Sequence, residues 1–297
     1  MIKKFIKFII FTFIFFSTIL FLIDPVKSKQ EIYNVLELWL NKVLLSLVPM
    51  YFLSNVLISY PYISKILFPI LDKALHFENE RSCSLFLLSI ITGNPTSSIL
   101  VIDSVEKKQI SVEEGNRLLK CTVLSSPLFI ISMVGRFGIL LIITTILVNF
   151  ILFYKKHVVK NYLKNITNSS NLLSVIDRCP IVMLEILSSM LFISVIKYPL
   201  NKIVNYLNIN NNLIINYLID ILELTTGLDN ISNYETTPLI KLLLSSFLLT
   251  SGGITILIEI LSKLKKTSLS KTSFIINRIL HAILTTIILF IIMIFFV

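Results

Sequence analysis

Two polar runs that contain glycine interrupt the apolar sequence of this chain, and their side chains are suited to binding a small molecule. The first run is Gly93, Asn94, Pro95, Thr96, Ser97 and Ser98, and the second is Thr250, Ser251, Gly252 and Gly253. Proline lacks a backbone N–H and glycine tolerates left-handed geometry, so each run predicts a break in a helix. A broken helix exposes N–H donors on one half and carbonyl acceptors on the other. The runs carry hydroxyl and amide groups but no fixed charge, which favours a neutral polar ligand.

Both runs also have a purely structural interpretation. Hydroxyl side chains in a kinked helix can bond back to carbonyl groups of their own helix and bind nothing else. A break at membrane depth, however, must be covered by protein or line a water-filled cavity. The residue types alone leave both interpretations open.

A serine pair and two acids are further candidates for the site. Ser125 and Ser126 precede Pro127 and predict another interruption. Glu223 and Glu259 lie in apolar stretches, where a carboxylate is costly and is expected to face the interior of a helix bundle. We predict that these two glutamates are the functional pair.

Two Asn-Arg pairs are predicted to be structural. They are Asn116 with Arg117 and Asn277 with Arg278. The arginines could equally be the partners of the two glutamates, because a carboxylate inside a membrane protein needs a cation or several donors.

The sequence contains no pattern typical of a catalytic centre. It has no G-x-S-x-G, H-E-x-x-H or P-loop motif, and its three histidines are scattered. Cys83, Cys121 and Cys179 are widely spaced, which favours apolar membrane-embedded residues over a disulfide or a metal site. We expect no catalytic residues, no metal site and no cofactor.

The composition predicts the elements that hold these residues. Mean hydropathy is +0.86, and 55% of residues are hydrophobic whereas 15% are charged, against about 25% charged in soluble domains. The apolar runs are continuous rather than alternating, which favours helices over a barrel. We therefore predict an all-α polytopic transmembrane bundle with the lipid bilayer as its partner. The net charge of +10 comes from lysines beside apolar runs, a pattern typical of membrane topology rather than of a nucleic-acid partner.

The N-terminal stretch from Met1 to Ile23 starts with lysines and continues as a long, phenylalanine-rich apolar run. No small-x-small cleavage site follows, so we predict an uncleaved anchor helix rather than a signal peptide. Its basic start, and the basic stretch near residue 160, predict a multi-pass protein of the cell membrane with a cytoplasmic N-terminus.

Two parts of the chain resemble each other in order. Gly252 follows Gly93 by 159 residues and Asn277 follows Asn116 by 161, so one register with small gaps matches both. Chance likeness between apolar segments is the alternative. The loop before Arg117 contains acids whereas the loop before Arg278 contains lysines without acids. We therefore predict inverted halves, with these loops on opposite sides of the membrane and with broken or re-entrant helices.

The same motifs carry a resemblance to a family. The run Gly93-x-Pro95, then Asn116-Arg117-Leu118-Leu119, then Ser125-Ser126-Pro127-Leu128-Phe129-Ile130, resembles the sporulation integral membrane protein family (YlbJ-like). In the second half, Leu222-Glu223-x-Thr225-x-Gly227 and Leu249-x-x-Gly252-Gly253 are similar to its C-terminal motifs. The resemblance extends from Trp39 to His281. It implies nucleoside-recognition, or gate, domains and a role in forming the spore envelope or cortex.

These observations divide the chain into four parts. They are an anchor helix and loop (1–34), a first gate-like repeat (35–154), a basic linker (155–178) and a second gate-like repeat (179–297). We expect a transporter-like or gated pathway for a small polar solute. The alternative is a scaffold that supports other sporulation membrane proteins without transporting anything. An intramembrane enzyme is the weakest of the three hypotheses.

Overall fold

In the computed structural model, the described residues are 2–59, 62–154, 172–209, 211–265 and 267–296, and each regular element among them is helical. Within this part of the chain, five helical stretches are long and apolar enough to cross a membrane. They are Pro25–Leu57, Pro127–Phe153, Val175–Tyr206, Pro238–Leu264 and Lys271–Phe295. The predicted all-α class is thus confirmed for these residues, and the stretches are consistent with a multi-pass membrane protein.

The α-helices follow one another with short connections. In chain order they are α1 (Ile2–Ile23), α2 (Pro25–Leu38), α3 (Leu45–Ser59), α4 (Tyr62–Leu75), α5 (Glu80–Ile91), α6 (Thr96–Glu106), α7 (Val112–Leu118), α8 (Pro127–Val134), α9 (Gly138–Phe153), α10 (Leu172–Tyr206), α11 (Leu213–Asp220), α12 (Leu224–Ser232), α13 (Pro238–Ser251), α14 (Gly253–Leu264) and α15 (Lys271–Phe296).

Two long helical stretches form an antiparallel pair. α2 and α3 are joined by a π-helical turn (Trp39–Leu44), and α10 packs along them in the opposite direction. Tyr198 Oη donates to Asp24 Oδ2 (3.0 Å) near the end of α10, and Trp39 Nε1 donates to the Met183 carbonyl (3.2 Å) near its middle. Below, the end of the molecule at Tyr198 is called the upper end, and the end where α10 begins is called the lower end.

α5 and α6 form a helical hairpin, called hairpin A, whose tip is residues 92–95. At its open end, Arg81 Nη2 donates to Ser104 Oγ (3.2 Å), so the two helices run side by side in opposite directions. Asp103 of α6 and Arg178 of α10 line one cavity, which places this open end at the lower end. Hairpin A therefore points its tip toward the middle of the molecule.

α11 and α12 form a second helical hairpin, called hairpin B, whose tip is residues 221–223. Its chain enters from the upper end, where α10 ends. α12 then passes so close to α11 that a Cβ on Gly227 would lie 2.4 Å from the Asp220 carbonyl oxygen. Asn201 of α10 and Asn230 of α12 line one cavity at the upper end. The two hairpins thus reach the middle of the molecule from opposite ends.

Two further helix pairs are interrupted midway. α7 and α8 are separated by residues 119–126, and α13 and α14 meet at Gly252, whose φ is +82°. After α8 the chain turns back at residues 135–137. α9 then starts so close to α8 that a Cβ on Gly138 would lie only 3.2 Å from the Ile130 carbonyl oxygen. The predicted breaks at Gly93–Pro95, at Ser125–Pro127 and at Gly252 are all confirmed as interruptions between helices.

Two predicted domain boundaries fall inside helical stretches of the structure. The division between the anchor (1–34) and the first repeat falls inside the continuous stretch Pro25–Leu57. The linker predicted for 155–178 ends too late, since α10 begins at Leu172 and its residue Val175 is already buried. The rest of that linker, 155–171, lies outside the described residues.

The predicted repeat register is wrong. It equates Gly93 at the tip of hairpin A with Gly252, which interrupts the α13–α14 pair, and these two places differ in how the chain continues. The loops predicted to lie on opposite sides are in contact, because the Ser270 N–H donates to Asn116 Oδ1 (2.9 Å). Both loops are therefore at the lower end. The presence of a repeat remains a prediction.

Candidate functional site

A cavity in the middle of the molecule, called the central cavity, is lined from both hairpins and from both interrupted helix pairs. Its polar lining residues are Asn94, Ser125, Ser189, Glu223, Thr225, Thr255 and Glu259. Its volume of ≈ 50 Å³ holds only a few waters, since one water needs about 10–15 Å³ of such space. Among the predicted site residues, those brought together here are Asn94, Pro95, Ser125, Glu223 and Glu259.

The tip of hairpin A is held by neutral hydrogen bonds to the interruption between α7 and α8. The Asn94 N–H donates to the Leu124 carbonyl (3.0 Å), and Asn94 Nδ2 donates to the Thr122 carbonyl. Ser98 Oγ contacts both partners, with distances of 2.7 Å to Asn94 Oδ1 and 2.9 Å to Thr122 Oγ1. The predicted polar run of the first break therefore serves mainly to fasten the tip.

Gly93 is required at this tip by its conformation and by its neighbours. Its φ is +72°, and a Cβ there would lie 2.2 Å from Ser126 N. Ser126 itself caps α8, with Oγ accepting from the Phe129 N–H (3.4 Å). The two sequence motifs Gly93–Pro95 and Ser125–Pro127 are thus one packed unit in the structure.

The tip of hairpin B carries a charge. Glu223 is the N-cap of α12, and its carboxylate accepts from the N–H groups of Thr225 (2.9 Å) and Thr226 (2.7 Å). A carboxylate is favourable at a helix N-terminus because of the unpaired donors and the helix dipole. Glu223 is only 4% exposed, so hairpin B brings a buried acid to the central cavity.

Glu259 adds a second carboxylate to the same lining. It lies on α14, with Lys263 Nζ 3.7 Å away, and it lines both the central cavity and the cavity below it. The residues of the two breaks alone predicted a lining without charge. The lining also includes carboxylates, because Glu223 and Glu259 both line the cavity.

The second break contributes less than predicted. Thr250 Oγ1 donates to the Ser246 carbonyl (2.6 Å), and Ser251 Oγ donates to the Leu248 carbonyl (3.2 Å), so both hydroxyls bond back to their own helix. The structural interpretation is confirmed for these two residues. Gly253 instead faces hairpin B, where the Ile254 N–H donates to the Ile221 carbonyl (3.0 Å).

Two other residues of the first break lie outside the central cavity. Thr96 lines the cavity at the lower end. Ser97 is buried, and its hydroxyl has no hydrogen-bond partner within the described residues.

Arg117 binds backbone carbonyls at helix ends near the lower end. Its guanidinium donates to the carbonyls of Phe153 (2.8 Å), His76 (2.9 Å) and Leu75, and it forms an ion pair with Glu114 (2.9 Å). Burial raises the pKa of Glu114, and the Arg117 charge opposes that rise. Arg117 is therefore structural, as predicted, and its acidic partner is Glu114 rather than Glu223 or Glu259.

Arg278 joins the two interrupted helix pairs. Its Nε donates to the Ser251 carbonyl (2.7 Å) and its Nη1 to the Thr122 carbonyl (3.4 Å). It is 2% exposed, and a Cβ on Gly252 would lie 2.1 Å from its Nη2. Glycine at 252 thus makes room for a buried cation, which is favourable at the C-terminal carbonyls of α13. The alternative in which Arg278 pairs with Glu223 or Glu259 is wrong, because its hydrogen bonds go to these carbonyls.

Further cavities lie on either side of the central cavity, toward the ends of the molecule. We call them the lower vestibule (≈ 230 Å³), the upper vestibule (≈ 210 Å³) and the upper mouth (≈ 210 Å³). Along α10 their lining residues follow in order, from Arg178 in the lower vestibule through Ser189 in the central cavity to Lys197 and Asn205 above.

The facing stretch of α2 and α3 shows the same order. Tyr51 lines the lower vestibule, Leu47 the central cavity, Asn34 the upper vestibule and Lys27 the upper mouth. At 1.5 Å per helical residue, the row spans about 40 Å along α10, compared with roughly 30 Å of membrane hydrocarbon. The cavities together therefore span a distance sufficient to cross the hydrocarbon of a membrane. The central cavity has the smallest volume of the four.

An ion pair that the sequence analysis missed lies beside the central cavity. Lys197 Nζ is 3.1 Å from Asp220 Oδ1 and 3.0 Å from Thr226 Oγ1, and both charged residues are buried. Lys197 lies within an apolar span, and an ionisable residue inside a span is a recognised signal of function. That signal could have identified Lys197, although not its partner.

Within the described part of the chain, no cluster of three His, Cys, Asp or Glu side chains is arranged to hold a metal ion. In comparisons with family models, with curated proteins and with solved structures, nothing matched this chain.

Proposed function

We propose that this protein is a membrane permease that passes a small polar solute through the central cavity. The observation that supports it best is the row of four cavities along α10, with polar and charged residues lining each of them. Polar groups inside a lipid-embedded bundle are costly unless they are bonded or wet, so a row of cavities with polar lining is expected to have a function. The constriction at the centre is typical of a pathway in a closed state.

We further propose that hairpins A and B are re-entrant and belong to two inverted units. In this register, hairpin A corresponds to hairpin B, and the interrupted α7–α8 pair corresponds to the interrupted α13–α14 pair. Three features support the proposal: the hairpins enter from opposite ends, their tips meet at one cavity, and each tip bonds to an interrupted pair. In many transporters, inverted units with broken helices place the solute site at the bilayer midplane.

The lower end is proposed to be cytoplasmic. Basic residues near the lower end include Arg81, Lys107, Lys108, Arg178, Lys263, Lys265 and Lys271, whereas those near the upper end include Lys27, Lys29, Arg136, Lys202 and Lys241. Short loops rich in lysine and arginine tend to stay in the cytoplasm. Because α1 ends at the upper end, where Phe21 packs on Tyr198, this orientation also puts the N-terminus in the cytoplasm.

A role in forming the spore envelope is proposed on the resemblance of the motifs alone. The Ser125–Pro127 motif, which carries most of that resemblance, borders the central cavity through Ser125. If the resemblance reflects descent, the solute is one that sporulating cells must move across a membrane.

Filling the central cavity tests the permease proposal. Ser189→Leu places an isobutyl group in a cavity of ≈ 50 Å³, and its own hydroxyl bond to the Ile186 carbonyl is purely local. Ser188→Leu is the matched control, because Ser188 is exposed and also bonds back to its own helix. The measurement is the metabolite profile of sporulating cells. One strain lacks this protein, and the others contain the wild type, Ser189→Leu or Ser188→Leu at equal abundance in the membrane.

We expect Ser189→Leu to reproduce the metabolite changes of cells without the protein and Ser188→Leu to match wild type. If cells without the protein show a sporulation defect that both variants rescue equally, the pathway proposal is wrong. That result would favour the scaffold alternative, which does not need an open cavity.

A further inference from the structure

The Lys197–Asp220 ion pair connects two parts of the molecule that meet beside the central cavity. Lys197 belongs to the long helix α10, whereas Asp220 is the last residue of α11, at the tip of hairpin B. Their relative exposures are 6% and 3%. An ion pair this deeply buried strongly disfavours separation unless both charges find other partners.

The bonds around the pair are unevenly divided between the two parts. Asp220 also accepts from Asn230 Nδ2 (2.7 Å) and Tyr234 Oη (2.6 Å), which lie in hairpin B and in the turn after it. Both bonds of Lys197, to Asp220 and to Thr226, cross from α10 to hairpin B. If hairpin B moved away from α10 as a unit, Asp220 would keep two donors, whereas both bonds of Lys197 would break.

The first turn of α12 is itself the wall between the central cavity and the upper vestibule. Leu224 and Thr225 line the central cavity, whereas the next residue, Thr226, lines the upper vestibule. Leu224 packs in one apolar cluster with Val43 and Met190 on the two long helical stretches. Lys197 binds Thr226, so the ion pair holds this wall in place.

The tip of hairpin B is also attached to the start of α14, just after the break between α13 and α14. The N–H groups of Ile254 and Thr255 donate to the carbonyls of Ile221 (3.0 Å) and Leu222 (3.4 Å). Both donors follow Gly252 and Gly253, whose φ values of +82° and +65° are in the left-handed region that favours glycine.

We propose that Lys197 and Asp220 form the latch that holds hairpin B against α10 and closes the passage between the central cavity and the upper vestibule. In the proposed latch, the break between α13 and α14 is where the chain bends when the tip of hairpin B moves. The latch rests on the proposed permease function, since a gate requires a pathway. Lys197 is a positioning residue in this scheme, because it acts on the cavity wall through hairpin B.

Site-specific cysteine labelling tests the latch without any solute. The background is protein in which Cys83, Cys121 and Cys179 are replaced by alanine, with Ser189→Cys as the reporter in the central cavity. A charged, membrane-impermeant maleimide is added to sealed vesicles from the upper side or from the lower side. The variants are Lys197→Met, Asp220→Asn and the double variant, which leaves no unpaired buried charge and is therefore expected to fold even if a single variant does not.

We expect the labelling rate from the upper side to rise by about tenfold or more in these variants, because a closed state that loses a buried ion pair loses population. The rate from the lower side should not change, and Lys197→Arg, which keeps the charge, should stay close to wild type. An unchanged upper-side rate in the double variant overturns the proposal. So does an equal rise from both sides.

A second reporter separates a latch from general loosening. Protein that retains Cys121 as its one cysteine has a thiol that is fully buried near hairpin A. Labelling of Cys121 should stay at the wild-type rate in the latch variants, and a rise there overturns the proposal. If the reporter in the central cavity responds as expected but Ser189→Leu leaves cellular metabolites unchanged, the latch is supported and the permease proposal fails.

Discussion

The tips of hairpins A and B meet at one cavity, and each bonds to an interrupted helix pair, but hairpin B is also tied to a long helix by a buried ion pair. Hairpin A is held by neutral hydrogen bonds from Asn94 and Ser98 to the segment before α8. Hairpin B carries two acids, Asp220 and Glu223, and is held to α10 by the Lys197 ion pair. The neutral hydrogen bonds join hairpin A to the interrupted α7–α8 pair, whereas the ion pair joins hairpin B to α10.

This difference indicates which hairpin can move. Separating the tip of hairpin A would leave several buried amide and carbonyl groups without partners at once, and each such group costs roughly 1–3 kcal/mol. Separating hairpin B from α10 exposes Lys197 toward the upper vestibule, which it already lines, so water can take over as its partner. In the proposed latch, hairpin A is therefore the fixed part of the site, and hairpin B is the part that a change of charge releases.

The largest loss of stability is expected when one charge of the Lys197–Asp220 ion pair is removed. Asp220→Ala leaves Lys197 buried without its carboxylate, and breaking a buried pair in this way costs about 3–5 kcal/mol. The measurement is the thermal midpoint of the purified protein in detergent. The control is Asp220→Ala combined with Lys197→Met, which should recover most of the loss; an equally low midpoint in the double variant would contradict a charge effect.

A smaller loss is expected at the tip of hairpin A. Gly93→Ala forces a left-handed residue to carry a Cβ 2.2 Å from Ser126 N, and we expect a loss of about 2–3 kcal/mol from strain and displaced backbone. Gly135→Ala is the matched control, because Gly135 also has positive φ (+70°) but nothing lies within 4 Å of its added Cβ. Equal losses of thermal stability in both variants would show that the close contact at Gly93 has no effect of its own.

The smallest effect should come from one neutral hydrogen bond of hairpin A. Ser98→Ala removes the hydroxyl that contacts Asn94 and Thr122, and we expect a loss of about 1 kcal/mol. Ser84→Ala in α5 is the control, because its hydroxyl bonds only to the Glu80 carbonyl one turn earlier. Upper-side labelling of the Ser189→Cys reporter should be unchanged in both, and an increase with Ser98→Ala would mean that hairpin A also moves.

The breaks could be predicted from the sequence because their causes are local. Gly93 and Gly252 adopt positive φ, and Pro95 and Pro127 each lie where a helix begins. Such residues interrupt a helix regardless of what surrounds them. The cost of carboxylates in apolar stretches also predicted that Glu223 and Glu259 face the interior, and both line the central cavity; that they are a functional pair stays a prediction.

The direction of the chain after each break could not be predicted. At hairpin A the chain turns back, whereas at Gly252 it continues across the molecule, although both places contain glycine and hydroxyl residues. Glycine and proline predict where a helix ends, but they do not predict the direction of the next helix. The predicted register failed for this reason, because it matched two breaks that have different paths.

By itself, the sequence determined the apolar, all-helical character of the chain and the breaks at Gly93–Pro95, Ser125–Pro127 and Gly252, since these depend on apolar content and on backbone preferences of single residues. Only the tertiary structure decided which polar groups share a cavity and which charges pair. Arg117 bonds to helix ends far along the chain, and Lys197 meets Asp220 across a helical turn-back. These partners are chosen by packing, because a buried charge binds whichever donors or acceptors the folded chain brings within about 3 Å of it.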